Sequence, residues 1–314
     1  GLKQDVKLNT NIKSNDEVFI DGQLIGKLKG LKLNLEFTKG TLDTDIKSLK
    51  KAAKQGVEEE LKNRVKNIID NNEITLNQDC KICWKNNVIG KIRKGKNYLS
   101  PEIEVIADEA LDIETKKNLF IFLNSWLDNH IYNELRDLIN LTKLENKNQY
   151  IRALAFRLYE NNGVLKRNDI EDVINKINKE DRKQFRSLGI KVGRYHVFLY
   201  QLIKPEAVSL RTLLWKNFHQ KYFNIKPPTF GLNFLENKDN RNRNFMLLCG
   251  FEKFDTLFVR IDILERLFML IINSPNSKEN KEIKIMPEML NLLGCSKDNF
   301  KKLLQKMNYK IFDK

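Results

Sequence analysis

The chain has 314 residues, of which 41% are hydrophobic and 31% charged, enough at ~150 residues per domain for about two domains with real cores. That composition excludes a small disulfide-stapled peptide, and the longest apolar run, "LFMLII" at 267–272, is far too short to span a bilayer. The net charge of +15 and pI near 9.5 point toward a polyanionic partner, provided the charge is clustered and not spread as general lysine enrichment.

The sequence opens at Gly1 on ordinary polar residues, with neither an initiator Met nor a signal peptide, so a cytoplasmic piece of a longer protein is expected. "VFIDGQLIGKLKG" at 18–30 returns 64 residues later as "ICWKNNVIGKIRK" at 82–94, with Ile25, Gly26 and Lys27 matching Ile89, Gly90 and Lys91. Each copy alternates apolar residues around a two-residue turn, Asp21-Gly22 or Asn86-Asn87, which predicts two small β-hairpins. A helical segment follows each, 46–69 and 113–139. In the second, Leu119, Leu123, Trp126, Leu127 and Ile131 fall at spacings of three and four, so Trp126 and its neighbour His130 read as packing residues. Cys80 and Cys83, placed on one strand, point to opposite faces and read with Cys249 and Cys295 as free thiols of a reducing compartment.

"KLENKNQ" at 143–149 breaks the periodicity and marks a boundary. Helices are expected at 150–161 and 169–187, the latter closed by Gly189. "IKVGRYHVFL" then gives a third hairpin bending at Gly193, and Pro205 opens another helix. "NIKPPTFGLNFLENKDNRNRN" reads as a long loop, and the tail as two short helices separated by Gly294, with Ser296 as N-cap. The fold class is therefore mainly α within α+β, helical domains carrying three small hairpins. Its segments are 1–149 (duplicated hairpin plus helix), 150–272 (basic helix-hairpin-helix) and 273–314 (helical tail).

Charge singles out the middle segment. From Arg182 to Lys221 nine basic residues face the single acid Glu206, a net +8 in 40 residues and about half the chain's excess. Arg182, Lys183, Arg186, Lys191, Arg194, Tyr195, Lys204 and Arg211 are the candidate nucleic-acid contacts, cations for phosphates with a ring for bases. His196, Phe198 and Trp215 lie among them, but Phe198 can equally be core, and for Trp215 core is the favoured reading.

Catalytic signatures are missing. Gly22 and Gly26 enclose three residues where a phosphate loop needs four, and Lys27 precedes Leu28 where a hydroxyl is required. The three histidines lack partners at metal-ligand spacing, "G-x-S-x-G" is absent, and acid pairs such as Asp108-Glu109 suit solvated helix ends.

"IADEALDIETKKNLFIFLNSWLDNHI", "IRALAFRLYENNGVLKRNDI", "RKQFRSLGIKVGRYHVFLYQLIKPEAVSLRTLLW", "LCGFEKFDTLFVRIDILERLFMLI" and "LNLLGCSKDNFKKLLQKMNY", in that order, resemble the region behind the motor of alphaproteobacterial helicases related to the mitochondrial RNA-degradosome helicase. The resemblance runs through nearly the whole chain and is strongest over Leu188–Pro205 and Val259–Leu267. It implies an ATP-driven superfamily-two motor, with ATP and magnesium bound there and no cofactor or catalytic residue in this chain, whose role would be to guide nucleic acid, RNA in preference to DNA. The alternative is an interaction scaffold that docks a nuclease or a ribosomal partner. Neither reading involves a membrane.

Overall fold

The computed structural model describes residues 8–37, 43–220, 224–238, 242–274 and 282–312. Helices and several small sheets are mixed, and the chain divides into two compact units: residues 1–129 with 213–221, and residues 130–212 with 222–314. These units do not follow the three segments expected from the sequence.

In the first unit the repeat is a duplicated meander. Strands β1 (Thr10–Ile12), β2 (Glu17–Ile20), β3 (Gln23–Lys29) and β4 (Lys32–Leu35) form one antiparallel sheet in chain order. Strands β5 (Ile74–Leu76), β6 (Lys81–Trp84), β7 (Asn87–Arg93) and β8 (Glu102–Val105) form another. The predicted hairpins are the central pairs, β2 with β3 and β6 with β7, and the register slips at equivalent places, between Val18 and Phe19 and between Ile82 and Cys83. Alternation buries Ile20, Ile25 and Leu28 in one copy and Trp84, Ile89 and Ile92 in the other. Helix α1 (Asp43–Asn71) follows the first meander and α2 (Ile113–Asn140) the second. The buried Arg64 of α1 donates to Gly30 O at 2.9 Å and pairs with Asp16 and Glu60 at 2.7 and 3.0 Å.

Two local expectations need correction. The second turn is Lys85-Asn86, both at positive φ, one residue earlier than predicted, whereas the first is Asp21-Gly22 as expected. Cys80 sits in the left-handed turn before β6, with Cys83 inside the strand, so they do not share a strand. The repeated glycines also differ in their reason for being glycine. A Cβ on Gly26 would lie 2.1 Å from Asn34 O, while one on Gly90 would meet nothing nearer than 3.4 Å. Gly26→Ala should therefore lower unfolding free energy by about 1–3 kcal/mol and Gly90→Ala by clearly less, a difference that paired urea titrations would read.

The second unit runs helix α3 (Gln149–Glu160), strand β9 (Val164–Lys166), a 3-10 turn (Arg167–Ile170), α4 (Glu171–Ile174), α5 (Lys179–Ser187), β10 (Ile190–Val192) and β11 (His196–Leu199). The sheet order is β10-β11-β9, both pairings antiparallel. The helix expected over 169–187 is thus two, broken at 175–178. Asn178 accepts from Asp181 N while Asp181 caps Asn178 N in return, a capping box that starts α5 afresh. Asp181 also accepts from Asn148 Nδ2 at 2.7 Å, and Asn148 caps α3, so one buried carboxylate ties two helix starts together. Gly189 follows α5 at φ +79°, the left-handed stop expected of it.

Helix α6 (Pro205–His219) begins at its proline, and the predicted long loop contains a short strand, β12 (Phe234–Glu236), paired with β14 (Leu257–Arg260). Helix α7 (Arg243–Leu248), strand β13 (Phe251–Phe254) and helix α8 (Ile261–Ile272) complete this part. The tail holds β15 (Glu282–Ile283), α9 (Pro287–Leu293), α10 (Lys297–Lys306) and β16 (Lys310–Ile311), with Gly294 left-handed and Ser296 capping α10 as expected. Met289, Leu293, Phe300 and Leu303 pack into one core with Ile263, Leu264 and Leu267, so the tail and α8 are buried together.

Candidate nucleic-acid interface

Helix periodicity places Arg182 and Arg186 four residues apart on one face of α5, because Asn178 fixes where the helix starts and Phe185 and Asp181 turn inward. Strand alternation buries Ile190 and leaves Lys191 outward on β10. These three cations line one cavity of about 530 Å³ with Arg167 and the ring of Tyr200, and no acid lines it. Tyr200 is 51% exposed. Arg167 is held from behind by Gly193 O, 3.1 Å from its Nη1, while its buried Nε has no hydrogen-bond partner among the described residues. Cations beside an exposed ring, with no carboxylate among the lining residues, suit a phosphodiester backbone.

The other candidates separate from this groove. Lys183 is exposed on α5 and Lys204 is exposed just before α6, but neither lines it. Arg194 lies at the tip of the β10–β11 hairpin with its guanidinium carbon 5.6 Å from the Phe268 ring centre. Tyr195 is half-buried, meets Phe268 edge-on at 5.8 Å and shares a hydrogen bond with the Tyr309 hydroxyl, so it is not a free stacking platform. Burial and that hydrogen bond push its phenol above the ordinary tyrosine range.

Arg211 is a correction. It is 1% exposed and donates to the carbonyls of Asn162 and Leu248, the latter at 3.0 Å, so it braces the fold and does not meet phosphate. Arg211→Met should cost about 1–3 kcal/mol of stability by orphaning those carbonyls, with nucleic-acid affinity unchanged in the folded protein. Melting curves and anisotropy titrations on one preparation separate the two. Phe198 and Trp215 are likewise buried packing residues.

The hairpin tip is pinned by Glu265 of α8, which accepts from the amides of Arg194 and Tyr195 at 2.6 and 3.0 Å. Gly193 permits this, since a Cβ there would lie 2.3 Å from the carboxylate carbon. Beside it the buried Glu252 accepts from Arg243 Nε and Nη2 at 3.1 and 3.2 Å and lies 3.4 Å from His196 Nε2. Burial opposes ionisation of Glu252, but His196 and Arg243 outweigh it and hold the carboxyl below its ordinary value.

Among the described residues no group of three or more His, Cys, Asp or Glu side chains is placed to hold a metal ion, and no helix is long and apolar enough to cross a membrane. Comparison with protein-family models, curated proteins and solved structures returned no match.

Proposed function

We propose that this chain is a nucleic-acid-binding accessory region, with single-stranded RNA as its expected ligand, working beside a helicase motor. The observation that carries the binding part is the acid-free cationic groove made by α5, β10 and Arg167. Its support is topological as well: α3, β9, α4, α5, β10 and β11, with the middle strand of the sheet contributed last, follow the order of a winged helix-turn-helix. In that arrangement α5 stands where the second helix of a helix-turn-helix meets nucleic acid, and the β10–β11 hairpin is the wing. Topology alone does not assign function, and here the groove chemistry bears the weight.

The helicase attachment rests on the resemblance of segment order, which also favours RNA over DNA and a cytoplasmic setting. Reading the coding sequence in frame ahead of Gly1 tests it: superfamily-two motor motifs support the attachment, and a start codon beside Gly1 after an upstream stop removes it. ATP and magnesium belong to that motor in this reading. The purified chain should accordingly neither bind ATP tightly nor hydrolyse it, with or without RNA, and turnover abolished by a substitution within residues 1–314 would contradict this.

The scaffold alternative has one observation in its favour. Phe120 and Ile121 on α2 are 43% and 56% exposed, and Ile113 at its start is more so, apolar surface of a kind that a nuclease or ribosomal partner could cover. Anisotropy titrations with single- and double-stranded RNA and DNA decide first between the classes, because a scaffold has no need of salt-sensitive, micromolar binding to any of them.

A further inference from the structure

A second cavity of the second unit, about 870 Å³, lies against the groove and is walled by the wing, β13, α8 and the residues after α10. The two cavities share one partition. Lys166 and Asn168 line the larger while Arg167 between them lines the groove, and on the hairpin Lys191 and Val192 line the groove while Arg194 and Tyr195 line the larger cavity.

Four features define what this cavity would take. Lys166, Arg194, Lys253 and Lys306 supply positive charge around it, against the acids Glu252 and Asp255. Glu252 is already engaged by Arg243 and His196, with Lys166 at 4.0 Å, so Asp255 is the acid left to oppose an anion. Phe254, Phe268 and the Tyr195–Tyr309 pair add flat apolar surface, and the Arg194 guanidinium over Phe268 is a plane on which a base can stack. His196, 3% exposed at its side chain, lines the wall, with both ring nitrogens buried behind it and neither hydrogen-bonded among the described residues. The volume lies within the range of small-molecule sites, mostly apolar with a few converging polar groups.

We infer that this cavity binds one nucleotide, its base stacked against the Arg194–Phe268 side and its phosphate near the rim lysines. Resting on the nucleic-acid reading, the inference adds that a strand in the groove turns over the wing and inserts one base. Free mononucleotide has the same chemistry, and the test separates the two sources.

Affinities are measured for a short single-stranded RNA of uniform sequence, for the same backbone with every base removed, and for adenosine and uridine 5′-monophosphate. The wild-type chain should prefer the base-bearing strand by about tenfold. Phe268→Leu should bring that preference near unity, and Lys306→Glu, at an exposed position that tolerates charge reversal, provides the same test should Phe268→Leu fail to fold. Phe156→Leu, at an exposed ring on α3 that lines neither cavity, should preserve the preference, whereas Tyr200→Leu reports on stacking in the groove. Loss of the preference in Tyr200→Leu with retention in both cavity variants overturns the inference, as does a wild-type preference of unity. If no strand binds at all, the nucleic-acid reading falls by itself. The cavity then stands only if a monophosphate binds to the wild type and not to Lys306→Glu, and falls otherwise.

Discussion

Replacing Arg182, Arg186 and Lys191 together with alanine should weaken binding to single-stranded RNA by about 100-fold at ~0.1 M salt. The figure follows from counterion release. Each phosphate neutralised on a single strand contributes a slope of about −0.7 in log affinity against log salt, so three lost contacts flatten the slope by about 2, and one decade below ~1 M salt separates the two proteins by about two log units. All three side chains are exposed around one cavity, so each is free to meet a phosphate, and none supports the core. Unrelated sequences should lose affinity alike, because phosphate contacts position a strand without reading it. Lys47, Lys50 and Lys51, exposed on α1, remove the same formal charge when changed to alanine and should cost clearly less. Equal losses from both sets would show that only net charge matters, and an unchanged affinity from the first set would put the scaffold reading ahead.

Much of this cationic groove is legible in the sequence, and the parts that are not have physical reasons. Arg182, Arg186 and Lys191 stand out by charge density alone and line one cavity, since neighbours in sequence on one helix and the next strand stay neighbours in space. Arg211 was misread by the same criterion, because its partners are carbonyls 49 and 37 residues away, and a charge count cannot tell a guanidinium in solvent from one bonded to backbone. Arg167 escaped because it lies outside the dense stretch and reaches the groove only through the β9–β11 pairing that sets it beside the wing. The capping box at Asn178 and Asp181 is present in the sequence as a spacing of three, but a continuous helical period masks it. It marks the break between α4 and α5. The duplicated hairpins were visible as repeated alternation, whereas their outer strands, three or four residues each, are too short to carry a period of their own.

Glu252→Gln should lower the unfolding free energy by about 3–5 kcal/mol at neutral pH, the cost typical of breaking a buried ion pair from one side. Glu252 is 3% exposed, and its oxygens accept from Arg243 at two points with His196 Nε2 3.4 Å away. An amide in its place offers one acceptor where the carboxylate offered two and turns a donor toward donors, leaving the Arg243 charge without its counterion. The same network predicts the acid response of the wild type. The folded-state pKa of Glu252 is held below its ordinary value of 4.5, so its stabilising contribution is fully present above that value and is lost as the pH falls through the lower, folded-state value. Urea titrations across the acid range should therefore show wild-type stability declining below pH ~4.5 with a component that Glu252→Gln lacks, and the two curves should converge as the carboxyl takes up its proton. Since His196 stands both beside Glu252 and in the wall of the cavity proposed for a nucleotide, the variant should also lose base-dependent affinity while keeping the salt slope set by the groove. Parallel acid curves for the two proteins would mean that Arg243 and His196 gain nothing from the charge on Glu252.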